Sequence, residues 1–423
     1  MPQFPLTRAA AQQIDERDPL ASFRDRFIIA DDRLLYMLGN SLGRLPKAAA
    51  ERIEHLVHHE WGERLIRSWN ESWIDLPAQT GDKIAELLGA GPGEIIIADS
   101  TSVNLYKVAI AALRLRPGRR KIVTDNLNFP SDLYVLQGAL STVRGPHFLQ
   151  IVPSPDDVRG PVEGLARAID EDTALVTLSH TVFKSAYIYE LAAITRLAHE
   201  AGALTVWDVS HSVGAMPLDF TGAGVDFAVG CTYKYLNGGP GAPAFLFVRE
   251  ELQEEAQNPI SGWMGQDRPF DFDLEYRSAP GLRRFLTGTP PILSLAAIEA
   301  GVDLLLEAGM EHVRAKSSAQ TAYLIALWEA RLAPMGFELR SPRERDRRGS
   351  HVSFGHPEGL RISQALKKEM KVLPDFRSPD TLRFSVAPLY TRYVDLFDAV
   401  ERLRTVVVDR LYEKYSLEAP AVT

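Results

Sequence analysis

Four groups with chemical potential stand in order along this chain of 423 residues. The stretch "IIIADSTSVN" puts Asp99, Ser100, Thr101 and Ser102 between an apolar run and a helical pattern. Hydroxyls and free backbone N–H groups at a helix start make an anion site suited to phosphate. Simple N-capping by Ser or Thr is the plainer alternative. "NFPSDLY" then places Phe129 and Asp132 around Pro130, where Asp132 on its own reads as a helix cap. In "TVWDVSHSVGA", Asp208 directly follows an apolar run and His211 is three residues on. A carboxylate at the end of a buried strand needs a cationic or hydrogen-bonding partner. A pyridinium N–H would serve, and so would a structural pairing with His211. Last comes "GCTYKYLNGGPG", with Lys234 between Tyr233 and Tyr235 and apolar runs on either side. Burial disfavours the ammonium form, and a neutral amine can form a Schiff base with an aldehyde. Phosphate cradle, aromatic face, carboxylate and lysine amine together are what pyridoxal 5'-phosphate requires.

Such residues need a frame. The apolar runs "EIIIAD", "KIVTD", "ALVTLSH", "LTVWDVS", "FAVGCTY" and "AFLFV" lack strict alternation, as strands buried on both faces do. Helical segments such as "SVNLYKVAIAALRLR", "SDLYVLQGALSTV" and "ELAAITRLAHEAG" lie between them. This alternation predicts an α/β fold with a mostly parallel central sheet, whose functional residues gather at the carboxyl ends of the strands. Upstream, "PKAAAERIEHLVHHEWGERLI" and "QTGDKIAELLGA" read as helices, the second ended by Gly89. From about Pro290 the rhythm changes to long amphipathic helices with "SHVSFGH" and "LRFSVAPLY" among them, which predicts a smaller α+β domain. The expected division is an N-terminal segment over 1–60 that packs with the small domain, a large cofactor-binding domain over 61–290, and the small domain over 291–423.

Composition narrows the function class. The formal net charge of −8 gives no global support for a nucleic-acid partner, and the basic "RERDRRG" near residues 343–349 carries acids and reads as a solvated loop. No apolar run reaches the ~20 residues that span a bilayer, and the N-terminal stretch lacks the apolar core of a signal peptide. Cys231 is the only cysteine, so an intrachain disulfide is impossible and a reducing cytoplasm is the expected compartment. No CxxC or HExxH pattern is present to hold a metal.

The chain resembles the kynureninases, pyridoxal phosphate enzymes of fold type I, over nearly its whole length. "GNSLG" (39–43), "NFPSD" (128–132), "WDVSHSVGA" (207–215), "CTYKYLNGGPG" (231–241), "SGWMG" (261–265), "GTPPI" (288–292), "RGSHVSF" (348–354) and "LRFSVAPLY" (382–390) stand in the family's order. The resemblance implies that Lys234 is the imine lysine, that Asp208 faces the pyridine nitrogen, and that Asp132 and His211 lie beside the ring on which Phe129 stacks. It implies phosphate contacts from Thr101, Ser102 and Tyr233, joined by Trp263 and Thr289 of a neighbouring subunit, hence a homodimer with shared sites. Arg383 would grip the substrate α-carboxylate, and Trp69 and Asn70 would lie near the aryl end. Three positions depart from the family pattern: Gln266 where histidine is common, Ala186 where glycine is usual, and Leu38 where relatives carry Asp or Leu. They bear on the choice of substrate rather than on the cofactor.

The implied reaction is hydrolysis of L-kynurenine, or its 3-hydroxy form, to anthranilate or 3-hydroxyanthranilate and L-alanine in tryptophan catabolism, a route toward NAD. Lys234 and Tyr233 are the acid–base candidates, with Tyr233 as a phosphate ligand only being the alternative. Fold type I hosts many reactions. An aminotransferase, an epimerase and a kynureninase relative acting on a substituted kynurenine in a secondary pathway remain as rivals. A cysteine desulfurase does not, because Cys231 sits on the strand leading to Lys234. A silent binding protein would have no use for the intact Lys234 and Asp208.

Overall fold

The computed structural model describes residues 6–418. Residues 1–5 and 419–423, the ends of the expected first and last segments and the start of the stretch read as no signal peptide, lie outside the described residues. Thirteen strands follow one another: β1 (Leu35–Tyr36), β2 (Ile95–Ile97), β3 (Lys121–Asp125), β4 (Phe148–Val152), β5 (Thr173–Ser179), β6 (Leu204–Asp208), β7 (Phe227–Gly230), β8 (Phe245–Val248), β9 (Glu338–Leu339), β10 (His351–Gly355), β11 (Val372–Leu373), β12 (Asp375–Arg377) and β13 (Thr381–Ser385).

Seven of them form the large sheet in the order β2-β8-β7-β6-β5-β3-β4, and only β8 runs against the rest. Every residue of β5, β6 and β7 is buried, as continuous apolar runs require of strands covered on both faces. The helices Thr101–Arg114, Pro130–Thr142 and Leu191–Glu200 connect strands of this sheet. The six expected strands are all present. The seventh, β4, was not read from the sequence: it lies on the edge, Gln150 interrupts its apolar run, and only Val152 is buried.

The second sheet is antiparallel, in the order β12-β13-β10-β9. The helices Met310–Leu327, Gly359–Glu369 and Tyr393–Val408 pack with it. The N-terminal chain joins this body. The Asp15 carboxylate accepts the N–H groups of Tyr393 (2.7 Å) and Val394 (2.9 Å), and β1 pairs in parallel with β11. Leu35 and Met37 share a core with Val352, Phe384 and Leu396.

Three local readings change. The helix Lys47–His55 loosens its winding over Leu56–Arg64 instead of continuing as one regular helix. "ILSLAAIEAGVDLLLEAG" divides into Ile292–Leu295 and Ile298–Ala308. The solvated loop near 343–349 is exposed at Arg343, Glu344, Arg345 and Asp346, but Arg348 is wholly buried. Its guanidinium donates to the carbonyls of Pro342 (2.6 Å) and Arg343 (2.8 Å), so it holds the loop closed from inside. Among the described residues, no helix is long and apolar enough to cross a membrane, and no group of three or more His, Cys, Asp or Glu could hold a metal ion.

Candidate active site

The carboxyl ends of β2, β3, β6 and β7 open onto a cleft of about 190 Å³, walled on the other side by the second sheet and the 39–43 loop. Nine of the residues singled out from the sequence line it: Thr101, Ser102, Phe129, Asp132, Asp208, His211, Tyr233, Lys234 and Arg383.

One end of the cleft is built by the helix Thr101–Arg114. Ser100 is its cap, with Oγ accepting the Val103 N–H at 3.4 Å, so capping falls to Ser100 and leaves the next two hydroxyls for the cleft. Ser102 Oγ lies 2.9 Å from Ser131 Oγ, a lining residue that sequence reasoning missed inside "NFPSD". Phe129 is 41% exposed and meets Phe183 edge-on, with centroids 5.2 Å apart, so a ring face remains open for stacking.

Asp132 does not cap its helix. The helix Pro130–Thr142 has no side-chain cap, and Asp132 is buried in its first turn beside Asp208. Burial, and then the Asp208 charge, push the Asp132 carboxyl well above its ordinary range, while Lys234 pulls it down. Burial and the neighbouring carboxylate thus both disfavour a charge on Asp132. Asp208 Oδ1 takes the Ser210 N–H at 2.7 Å, which fixes the carboxylate at the strand end.

The partner of His211 is Lys234, with Nε2 3.0 Å from Nζ, rather than Asp208. Burial pushes the His211 imidazole well below its ordinary value, and the charges of Lys234, Arg383, His351 and Arg377 act the same way. A neutral imidazole accepts at Nε2 while Lys234 donates. The backbone of the lysine turn is clamped from the N-terminal segment, where the Gly43 N–H donates to Tyr233 O at 2.8 Å. A Cβ at Gly43 would stand 2.3 Å from Lys234 O. Beyond the lysine, Asn237 (φ +55°), Gly239 (φ +89°) and Gly241 (φ +75°) turn the chain away through left-handed backbone. The Tyr233 phenol is pushed up, first by Cys231 beside it and then by burial, so it remains a donor.

Arg383 is wholly buried. Its fork donates to Phe183 O, to Ser41 Oγ at 3.3 Å and to Asp375. Asp375 also meets Arg377 at 3.0 Å and accepts from Ser41 Oγ at 3.0 Å. Two guanidiniums on one carboxylate leave a positive excess that suits a second carboxylate. Asp375, Ser41, Arg377 and Ser210 carried no sequence signal as single residues. Asp375 becomes legible only through register, because it stands opposite Arg383 across β12 and β13.

Four expected residues are not in the cleft of the single chain. Trp69 is half-buried and packs edge-on against Trp73 with centroids 5.5 Å apart, and Asn70 is exposed. Trp263 is 44% exposed against Phe270, and Thr289 is exposed. The three departures do not line the cleft either. Gln266 accepts the Arg277 N–H at 2.6 Å and donates to Glu275 O at 3.2 Å, closing its own loop. Ala186 sits at φ +67°, the left-handed region where glycine is the easier residue. The Leu38 carbonyl accepts the Ser41 N–H at 2.9 Å.

Solved structures share this architecture. A cystine C–S lyase, C-DES, with glycine covalently linked to its PLP cofactor superposes with a TM-score of 0.78 at 20% identity, covering 90% of this chain and 98% of that one. A cysteine desulfurase from Thermococcus onnurineus superposes with a TM-score of 0.76 at 18% identity, covering 93% and 98%. The fold is thus that of fold type I. The family description "Kynureninase C-terminal domain" matches residues 313–403. Curated kynureninases from Pseudomonas fluorescens, at 44% identity, and Burkholderia pseudomallei (strain 1106a), at 43%, align over 95% of this chain and 95% of their own. The chain belongs to the kynureninase family.

Proposed function

We propose that this cleft hydrolyses L-kynurenine, and its 3-hydroxy form, to the corresponding anthranilate and L-alanine. The observation that carries the reading is the convergence of Lys234, Asp208 and Arg383 on one cleft, in a chain 44% identical to a kynureninase. The residues fit the cofactor. Thr101, Ser102 and Tyr233 suit its phosphate, the open face of Phe129 its ring, and the buried Asp208 its ring nitrogen. Bound there, pyridoxal phosphate supplies an electron-accepting ring for the pair left on the substrate Cα.

Lys234 Nζ would hold the cofactor through its aldehyde group, and as an amine at the cleft floor it would move the substrate Cα proton. His211 Nε2 orients that amine without competing for its proton. Asp132, buried beside Asp208, and the Ser210 N–H together fix the carboxylate that faces the ring nitrogen. Arg383 binds the α-carboxylate through its fork. Tyr233, held as a phenol, delivers a proton during cleavage of the Cβ–Cγ bond, and Lys234 activates the water that adds to the γ-carbonyl. A desulfurase reading finds no support in Cys231, which is buried and whose thiol is pushed up by that burial.

The functional unit of this reading is a homodimer in which Trp263 and Thr289 reach the partner's phosphate site and Trp69 and Asn70 lie near the aryl end. In support, Trp61, Ile66, Phe270, Phe272 and Leu274 are apolar and exposed on the single chain. The reading also keeps the division at 1–60, 61–290 and 291–423, and a cytoplasmic location. Purified protein mixed with L-kynurenine should release anthranilate fluorescence with one alanine per anthranilate. Dependence on pyruvate or glutamate would replace hydrolysis with transamination. Lys234→Ala should abolish the cofactor absorbance near ~420 nm, and an unchanged spectrum would remove Lys234 from its role.

A further inference from the structure

The 39–43 loop clamps the lysine turn through Gly43, and it also carries an unusual group. Asn40 is 0% exposed and lines the cleft, and neither Oδ1 nor Nδ2 of its amide has a hydrogen-bond partner in the protein. An unpaired buried amide costs stability, and native structures keep one only where something else satisfies it. The backbone around Asn40 is held from three sides. Its N–H donates to Ser385 Oγ at 3.1 Å, and that hydroxyl also meets the Tyr235 hydroxyl at 3.1 Å, next to Lys234. Gly39 and Gly43 bracket the residue without room for a side chain. A Cβ would stand 2.7 Å from the Tyr390 hydroxyl at the first and 2.3 Å from Lys234 O at the second. The loop is thus pressed between the lysine turn and β13, and the Asn40 amide is held at the cleft wall. One residue on, Ser41 Oγ touches both Arg383 and Asp375.

We propose that Asn40 is a substrate-recognition residue, whose Nδ2 donates to the α-carboxylate of the amino-acid substrate beside Arg383. This rests on the reading that the cleft takes an α-amino acid. Arg383 already divides its terminal nitrogens among Phe183 O, Ser41 and Asp375 and keeps only Nε unpartnered, so the second oxygen of an incoming carboxylate needs another donor that nothing in the protein already occupies. Asn40 supplies it, and substrate binding pairs the amide that the free chain leaves unpaired. An amide also has no charge to lose, so recognition by Asn40 does not titrate with the cleft's acids.

The test compares ligands with and without the carboxylate on the holoenzyme. For Asn40→Ala, the dissociation constant of L-alanine and the KM for L-kynurenine should rise about 10–100-fold, the range for a lost hydrogen bond to a charged group. Affinity for kynuramine, which lacks the carboxylate, and for anthranilate should stay within about twofold of wild type. Asn40→Asp, nearly the same size, should be worse than Asn40→Ala for alanine, because it sets like charges together. Equal losses on kynuramine and anthranilate would place Asn40 at the aryl end or in the scaffold and overturn the proposal. So would an Asp variant that binds alanine as well as the Ala variant does. Should Asn40→Ala fold poorly by thermal unfolding, the Asp variant and Asn40→Ser carry the same comparison. If wild-type protein binds alanine but leaves kynurenine intact, the reaction assignment fails while the carboxylate test still stands.

Discussion

Removing Asp375 separates the energetics of the buried Arg383 cluster from its proposed function. Asp375 lies between Arg383, with which it shares full burial, and Arg377, 3.0 Å away. Asp375→Ala leaves a buried guanidinium without its counter-charge, a change that costs about 3–5 kcal/mol. Unfolding entropy of about 2.1 cal/mol/K per residue gives about 0.9 kcal/mol/K for a chain of 423 residues. The expected fall in Tm is therefore about 3–6 °C, measured by calorimetry on the cofactor-free protein. Removing both charges, as Asp375→Leu with Arg383→Met, should recover most of that loss, since two apolar side chains of similar volume need no desolvated pair. The double variant should nevertheless lose binding of L-alanine. A fall below about 1 °C for Asp375→Ala, or a double variant that melts as low as the single one, would refute the argument that Asp375 compensates a buried cation.

Three further outcomes are expected. The His180 ring is buried, bonded to Ser212 Oγ at 2.8 Å, and pushed down to about 4 by desolvation, so its stabilising share is full above the unfolded value of 6.5 and is lost as pH falls toward 4. The stability gap between wild type and His180→Asn should then narrow by about 2.7 kcal/mol from pH 7.5 to 4.5 in urea unfolding, and a constant gap would contradict the depressed value. Gly43→Ala should cost about 1–3 kcal/mol and lower kcat more than it raises KM, because the new methyl meets Lys234 O rather than the substrate; unchanged kinetics would show that the lysine turn is not set by this contact. Dilution below the dimer dissociation constant, followed by sedimentation, should reduce specific activity, and Trp263→Ala should weaken cofactor affinity in the dimer; a fully active monomer would end the shared-site reading.

Much of one wall of the cleft was legible in the sequence, because its residues stand at or a few positions past the end of a strand. Asp208 ends β6 and Lys234 follows β7 by four positions, so a parallel sheet brings them together whatever the rest of the chain does. The wall around Arg383 was less legible. Arg383, Asp375 and Ser41 meet only because β12 pairs with β13 and because the 39–43 loop arrives from the other end of the chain. No local pattern encodes that meeting. Asp132 shows the limit of local chemistry differently: an acid in a first helical turn reads as a cap, and only the tertiary fold sets it in the cleft beside Asp208. Strand β4 was missed because an edge strand, wetted on one side, loses the continuous apolar run that marks its neighbours.

The pairing of β1 with β11 joins Leu35 to Val372. On a ribosome, the first of these emerges long before the second. At about 5–20 residues per second, the N-terminal segment waits roughly 20–70 s for its partner strand. Until then Leu35 and Met37 have no core to enter, and the Gly43 clamp on the lysine turn has no anchor behind it. The nascent chain can complete its large sheet early, yet the cleft wall that the 39–43 loop shares with β12 and β13 closes only near the end of synthesis. The exposed early segment is where a chaperone would be expected to hold this chain.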